Sequence, residues 1–585
     1  MNGTTHRRAG LVCIALALLL SIYSGRLIHL QVGKHEEYSR LAADKTAKKK
    51  VVRAERGTIT DMNGEVLADN VPIYAVVADG TLITDRPKLA GILARHLGLP
   101  EKQVAERIES TRPYIVVQRK VAAETVAALK EELAAERLRG VLYEREPKRN
   151  YPNEGMLAHV LGFLDSEGRG IQGVEMMMEP YLRGEDGFIY TERDRTGREI
   201  VAYRGLERPA RNGMTVKLTV DMGLQAIVER ELDESAQRLN ANMITAVFVR
   251  PRTGEILAMA TRPSFNLNEV ATAPVETTKN RALIEMFEPG STFKVVVISA
   301  ALNEGVVTPE SLFNCEGGRF AYAGKTLKDV HGYGVMSVHN ILVKSSNIGC
   351  AKIAMHLGGD TFHEYIRRFG FGERTGLGLP GEIPGIVHPR HRWTALSITR
   401  VPMGHEVSVT PLQSAMCMSV IANGGNMMLP QIVRSVVDGS GREVVSFRPQ
   451  IVRRVISEET AAKVNAALSD VVGDQGTARL ARIPGYRVAG KTGTAQRVDP
   501  KGGYTPGKYV VSFAGYFPAN NPEVAGIVLV DDARTPGTSN YGGTVAAPIF
   551  ARIGEAMARQ LNLVPETEES DGTTIALVPF GPGMN

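Results

Sequence analysis

The sequence predicts a mixed α/β (α+β) protein: an antiparallel sheet flanked by helices, preceded by a non-catalytic α+β module and one N-terminal transmembrane helix. Three observations predict it. A chain of 585 residues is too long for one hydrophobic core, so it divides into domains. An apolar run behind a basic start opens the chain. Between residues 219 and 561 the order is strands, then helices, then strands and a last helix, the signature of an antiparallel sheet with helices against it. Hydrophobic residues at 43% and charged residues at 23% are ordinary globular values, and a net charge of +6 is mild for this length. That charge gives no reason to propose nucleic acid as a partner. Cys13, Cys315, Cys350 and Cys417 form no Cys-x-x-Cys pair and no disulfide framework, and all four read as small buried hydrophobes.

The anchor comes first. His6, Arg7 and Arg8 precede residues 9–25, which carry no charge. This span sits at the short end of the roughly 17–25 residues a crossing needs. Basic residues ahead of it place residues 1–8 in the cytoplasm and the rest of the chain outside. Ala15-x-Ala17 resembles a cleavage site, but residues 18–23 continue apolar past it, so an uncleaved anchor is expected. A polar helix-like run leads on to Lys48-Lys49-Lys50, either a solvated stalk or a contact for anionic headgroups.

Residues 26–210 form the module. Arg56-Gly57-Thr58-Ile59-Thr60-Asp61-Met62-Asn63-Gly64-Glu65-Val66-Leu67-Ala68 reads as a strand, an Asn-Gly turn and a second strand. Residues 87–97 and 121–138 have helical spacing, as in Val126, Leu129 and Leu133. Residues 145–175 are rich in Gly, Asn and Pro and include Arg149-x-Tyr151-Pro152 and Gly170-x-x-Gly173-x-Glu175. No nucleophile pairs with a base between residues 45 and 205, so this region is non-catalytic.

The second domain covers residues 215–562. Leu224, Ile227, Val228 and Leu232 make one apolar helix face. Residues 244–249 and 256–259 are strands around the turn Arg252-Thr253-Gly254-Glu255. Residues 509–517 and 524–530 are a second pair, and residues 545–561 a closing helix. The tail, residues 563–585, lacks apolar periodicity and is expected to be disordered.

The chemistry starts at Glu288-Pro289-Gly290-Ser291-Thr292-Phe293-Lys294. A serine and a lysine three apart on a helix share one face. A serine at a helix start also lies near backbone N–H groups that lack partners. Those are a nucleophile, a nitrogen base and oxyanion donors. Ser-x-x-Lys alone is a weak signal, and Ser291 on its own also fits an N-cap. Two later motifs strengthen it: Ser345-Ser346-Asn347, opening an apolar helix, and Lys491-Thr492-Gly493-Thr494, on a short strand. Lys294 must be partly neutral to take a proton, so burial and a neighbouring cation such as Lys491 must lower its pKa. Ser345 can relay a proton, and Asn347 can orient the lysine and a substrate amide. Lys491, Thr492 and Thr494 offer charge and hydroxyls to a substrate carboxylate. Gly493 lets a substrate backbone lie close. The N–H groups of Ser291 and Thr494 are the expected oxyanion donors, each worth about 2.7–4 kcal/mol.

Ser-x-x-Lys, Ser-x-Asn and Lys-Thr-Gly in this order resemble the penicillin-binding proteins and serine β-lactamases. Arg56-Gly57-x-Ile59-x-Asp61-x-Asn63-Gly64, which β-lactamases lack, and Gly476-Thr477-Ala478 make the chain similar to a class B penicillin-binding protein, its division-specific branch most of all. The resemblance implies a penicillin-binding transpeptidase fold on an elongated pedestal domain. It implies a peptidoglycan D,D-transpeptidase with no cofactor: Ser291 attacks a stem peptide ending in D-Ala-D-Ala, D-Ala leaves, and a neighbouring stem's amine takes the acyl group. It also implies β-lactams as covalent inhibitors and a glycan polymerase and division proteins of the inner membrane as partners.

The chain departs from the family pattern in two places. Met403-Gly404-His405-Glu406-Val407 stands where similar proteins carry Gly-Gln-Gly, so His405 and Glu406 form either a local ion pair or plain loop. Asp61-Met62-Asn63 replaces Asp-Arg-Asn, which puts a pedestal contact in doubt. The alternatives are an elongation-type class B transpeptidase, a D,D-carboxypeptidase, a β-lactamase and a β-lactam sensor or inactive scaffold. Class A hydrolysis needs a water-activating carboxylate, and Glu382 falls in the right interval but the wrong local pattern. A scaffold predicts the loss of Ser291, Lys294 or Lys491, and all three are present. Cys315, Asp329, His331 and His339 match no compact zinc spacing, and no metal is expected. Trp393, the only tryptophan, reads as a packing anchor.

Overall fold

The computed structural model describes residues 3–38, 47–192, 207–499, 502–534 and 540–566. The tail from residue 567, expected to be disordered, lies outside them. The described residues fall into two units, residues 1–56 with 183–213, and residues 57–182 with 214–585.

In the first unit, helix Gly3–Ile28 continues as a π-helical turn, His29–Gly33. Residues Arg7–Gly33 are long and apolar enough to cross a membrane, and none of that stretch is buried in the protein. The helix is longer than the expected 9–25, because Arg26 and the residues after it carry the same hydrogen-bonding on. Cys13 is exposed on it, so the reading of that cysteine as a buried hydrophobe fails, while Cys315, Cys350 and Cys417 are buried. Of the run expected to be helix-like, residues 26–38 are largely helical, residues 39–46 lie outside the described residues, and its end at Lys48-Lys49-Lys50 is extended. Ala47–Val52 is a strand, paired antiparallel with Gly187–Glu192, which pairs in turn with Glu207–Arg208. Pairing with a distant segment overrides local helical propensity, and no local pattern reports it.

In the second unit, Ile59–Thr60 and Val66–Ala78 flank the Asn63-Gly64 turn as expected. Asp61 organises that turn: its Oδ1 accepts the N–H groups of Asn63 and Glu65, each at 2.8 Å. Asn63 Nδ2 donates to Asp221 Oδ2 at 3.0 Å, and Met62 contributes its N–H to the Val220 carbonyl. The expected helix at residues 121–138 is Ala123–Ala135, and the residues before it form strand Ile115–Ala122. Strands Ile115–Ala122 and Val141–Asn150 both pair with Val66–Ala78. Ile59–Thr60 runs parallel to Thr215–Leu218, which pairs with Val433–Val437, so one seven-stranded sheet joins the two halves of this unit. Arg149 Nε and Glu175 Oε1 meet at 2.7 Å with side chains 5% and 0% exposed, and Arg149 Nη1 reaches the Gly57 carbonyl at 2.8 Å.

Twelve further elements frame the site. They are α1 Met222–Leu239, β1 Met243–Val249, β2 Ile256–Arg262, α2 Lys294–Asn303, α3 Val338–Lys344, α4 Asn347–Leu357, α5 Pro411–Ala422, α6 Glu458–Val472, β3 Ala489–Val498, β4 Tyr504–Phe517, β5 Val524–Asp531 and α7 Ala546–Gln560. The five strands form one antiparallel sheet in the order β2-β1-β5-β4-β3, with β3 on the edge. Helices α1 and α7 share a core with one set of sheet residues, among them Phe248 and Phe513, against which Phe550 of α7 packs. Helices α2 and α5 belong to the other core, with Val247, Ile527 and Leu529. Every residue of α2 from Lys294 to Leu302 is buried, as is α5 from Pro411 to Ile421, so both are apolar nearly all round. Asp221 caps α1, accepting from Leu224 N–H, and Thr410 with Gln413 forms a capping box on α5.

Candidate active site

Ser291 sits in a single 3-10 turn, Gly290–Phe293, immediately ahead of α2. The turn is pressed onto the edge strand. A Cβ on Gly290, whose φ is +55°, would lie 2.9 Å from the Thr494 carbonyl oxygen. A Cβ on Gly493 would lie 2.4 Å from Ser512 Oγ and 2.8 Å from the Pro289 carbonyl oxygen. Gly493 was expected to make room for substrate backbone; the protein's own nucleophile turn already requires a glycine there. Among the described residues, edge strand β3 keeps one side without a strand partner, as an extended peptide docking along it requires.

Lys294 begins α2 and is fully buried. Its Nζ donates to the Ser345 carbonyl at 2.5 Å, Ser345 Oγ at 3.1 Å and Asn347 Oδ1 at 2.7 Å. Ser-x-x-Lys and Ser-x-Asn thus converge on one nitrogen. Ser291 is half-buried, and its hydroxyl makes no hydrogen bond among the described residues. Ser345 closes α3 in the left-handed conformation, φ +62°, which turns its hydroxyl and carbonyl together toward Lys294. Ser346 caps α4, accepting from Gly349 N–H at 2.9 Å.

Lys491, on β3, is also fully buried, and its Nζ has no hydrogen-bond partner among the described residues. Burial, with the nearby Lys294 charge second, pushes it down to about 7. Burial also holds Lys294 below its ordinary value, while Cys350 and Asp329 oppose that shift. Burial lowers Lys294 as expected, and the repulsion between the two buried cations is mutual; three acceptors favour the ammonium at Lys294, and Lys491 has none among the described residues. Thr492 Oγ1 lies 3.4 Å from Thr477 Oγ1, and Thr494 Oγ1 accepts from Gly542 N–H at 3.1 Å.

Two participants escaped the motif search. Asp329 Oδ1 accepts the N–H groups of Asn347 at 2.5 Å and Ile348 at 3.1 Å, and its Oδ2 accepts from Ser346 Oγ at 2.6 Å. It holds the whole Ser-x-Asn segment at the start of α4, together with the Lys328 carbonyl, which accepts from Asn347 Nδ2 at 2.9 Å. Its only signal in the sequence was membership of the Cys315, Asp329, His331, His339 group. Of that group, His339 Nε2 turns away to pair with Asp470 at 2.9 Å, while Cys315 stays beside Asp329, its Sγ accepting from the same Ser346 Oγ at 3.4 Å. The second is Glu288, whose carboxylate Oε2 lies 2.8 Å from His405 Nδ1, which holds His405 beside the serine turn. Glu406 pairs with Arg400. Glu382 is committed to Thr375, accepting its N–H at 2.6 Å and its hydroxyl at 2.5 Å. Trp393 packs edge-on against Phe362 and under the Arg390 guanidinium.

A serine at a helix start, a buried lysine bonded to a second serine and an asparagine, and a second buried lysine on an edge strand define a serine acyltransferase site. Residues 244–555 match the penicillin binding protein transpeptidase domain, and residues 51–218 match the penicillin-binding protein dimerisation domain. The chain is 33% identical over 569 residues to the peptidoglycan D,D-transpeptidase FtsI of Escherichia coli (strain K12), covering 96% of this chain and 92% of that one. It is 32% identical over 575 residues to stage V sporulation protein D of Bacillus subtilis (strain 168), covering 97% and 88%. The crystal structure of penicillin binding protein 3 from Mycobacterium tuberculosis complexed with aztreonam superposes with a TM-score of 0.69 at 28% identity, covering 89% of this chain and 98% of that one. The chain belongs to the penicillin-binding proteins, in the class B branch of peptidoglycan D,D-transpeptidases.

Proposed function

We propose that this chain is a membrane-anchored transpeptidase that cross-links stem peptides during septal wall synthesis, with residues 26–210 as pedestal and 215–562 as catalytic domain. The observation that carries the chemistry is the convergence of Ser345 and Asn347 on Lys294 Nζ, one helical turn from Ser291. Ser291 Oγ attacks the carbonyl of the penultimate D-Ala. Its proton goes to Lys294 in the neutral form, then through Ser345 Oγ to the nitrogen of the departing D-Ala as the C–N bond breaks. The N–H groups of Ser291 and Thr494 hold the oxyanion. Thr492, Thr494 and Lys491 hold the terminal carboxylate, whose charge favours the ammonium of Lys491. An amine of a second stem then attacks the ester, the new amide forms, and Ser291 Oγ regains a proton.

The basic residues ahead of the apolar helix support a cytoplasmic N-terminus with the catalytic domain outside. Near full-length similarity to FtsI supports the division role, and with it a glycan polymerase and division proteins as membrane partners. A fluorescent penicillin is expected to label the purified protein, and Ser291→Ala to abolish the label. With a D-Ala-D-Ala donor and an acceptor amine, the expected product is cross-linked peptide. Release of D-Ala without that product would leave a carboxypeptidase. Depletion is expected to give undivided filaments; rounded cells would assign the protein to lateral wall growth.

A further inference from the structure

Ser345 is held at φ +62°, a left-handed conformation that a serine keeps only where its surroundings over-determine it. That conformation is what brings its carbonyl and hydroxyl onto Lys294. The residues that follow are pinned by a group outside the three motifs. Ser346 Oγ donates to Asp329 Oδ2 at 2.6 Å, and the N–H groups of Asn347 and Ile348 donate to Asp329 Oδ1 at 2.5 and 3.1 Å. An ionised carboxylate only accepts, and here all three partners are donors. Helix α4 has a cap of its own, since Ser346 Oγ takes the Gly349 N–H. What the carboxylate adds is a hold on the stretch that carries the acceptors of Lys294.

Asp329 is itself braced. It follows the hairpin of Arg319–Tyr322 with Lys325–Lys328, and its N–H donates to the Gly318 carbonyl at 3.1 Å. The hairpin is tied to α4 a second time. Lys352 Nζ bonds Glu316 Oε1 at 2.6 Å and the Asn314 carbonyl at 2.7 Å, and it lies over the Phe320 ring.

The same carboxylate faces two buried cations. Lys294 and Lys491 are both fully buried, and the charge of each disfavours the ammonium of the other. The titratable groups that act on Lys294 are Lys491 on β3, Cys350 on α4 and Asp329. Burial pushes the Cys350 thiol up to about 12, so it is neutral where Lys491 titrates. Asp329 is the anion of the set. Burial lowers Lys294, and the Asp329 charge works against that shift.

We propose that Asp329 is a positioning residue for acyl transfer: it fixes Ser345 and Asn347 on Lys294, and its negative charge holds the resting proton of the lysine pair. This rests on the acyl-transfer reading above. The two lysines titrate as a coupled pair, so loss of the anion moves the pH profile of acylation to lower pH as a whole. A residue that only packs α4 would change the height of that profile and leave its midpoints in place.

The test follows acylation by labelled penicillin from about pH 5 to about pH 10. For Asp329→Asn, nearly isosteric and uncharged, the expected result is a maximal rate lowered about tenfold and midpoints moved down by about half a pH unit or more. Asp329→Glu keeps the charge on a longer arm, and Ser346→Ala removes one of the three bonds and leaves the charge. Both are expected to lower the maximal rate at least about threefold and to keep the wild-type midpoints. An Asp329→Asn rate within about twofold of wild type overturns the proposal, as does a lowered rate whose midpoints do not move. If Asp329→Asn does not fold, wild-type rates in Asp329→Glu and Ser346→Ala overturn it. Wild-type protein that is acylated but makes no cross-linked peptide overturns the transpeptidase reading alone. Wild-type protein that penicillin never acylates overturns both.

Discussion

Lys294 and Lys491 are the same residue type, fully buried in the same site, and their hydrogen bonding separates them. An ammonium needs three acceptors; Lys294 has Ser345 O, Ser345 Oγ and Asn347 Oδ1, and Lys491 has none among the described residues. Burial and the nearby Lys294 charge push Lys491 down to about 7, with no acceptor among the described residues to offset them. A stability consequence follows with a definite sign. The unfolded chain keeps this lysine protonated up to its ordinary 10.5, and the folded chain releases the proton near 7. Between those values the unfolded state binds the extra proton, so stability rises with pH, by up to about 1.4 kcal/mol per pH unit. Below 7 both states hold the proton and the contribution is lost. Lys491→Met removes the group. The wild-type stability minus that of the variant, from chemical denaturation, is expected to climb between pH 7 and 10; a flat difference would refute the assignment.

At the scale of elements, the site depends on the nucleophile turn lying directly on strand β3. Gly493 is where that approach is closest, with Ser512 Oγ and the Pro289 carbonyl both inside the distance a methyl group tolerates. Gly493→Ala must push the turn away from the strand or bend β3 against β4. The expected cost is about 1–3 kcal/mol of stability. On the proposed assignment of the Ser291 and Thr494 N–H groups as oxyanion donors, penicillin acylation is expected to fall at least about tenfold, because the turn and the strand that carry them move apart. Full acylation in a destabilised variant would show that the oxyanion donors lie elsewhere. What the sequence made legible follows the same division. Ser291, Lys294, Ser345, Asn347 and Lys491 could be read because each motif carries its chemistry within a few residues, and strands 244–249, 509–517 and 524–530 because they are short runs that are apolar but for Thr245, Ser512 and glycines. Strand Ile115–Ala122 escaped notice because its pattern is half exposed and runs without a break into a helix. Asp329, Glu288 and Gly542 escaped because each does its work on residues remote in the chain, through contacts that spacing does not encode.

For the molecule as a whole, the N-terminal helix and the catalytic unit have separate physical requirements. The helix turns its apolar side chains outward: Leu11, Ile14, Leu20 and Ile22 are each more than half exposed, and none of the span is buried in the protein. Such a surface is stable in a bilayer and a liability in water. The catalytic unit, by contrast, completes its sheet, both cores and the site from residues 57–182 and 214–566 alone. Folding of the site therefore gains nothing from the span. Protein lacking residues 1–34 is expected to stay in solution without detergent and to be acylated by penicillin at a rate within about twofold of the full chain in detergent, since no group that touches Lys294, Lys491 or Ser291 has been removed. On the membrane-anchored septal reading proposed above, the same truncation is expected to abolish complementation of septation in cells. Loss of acylation on truncation, measured against an unchanged circular dichroism spectrum, would mean that the span shapes the active site and that anchoring is not its sole contribution.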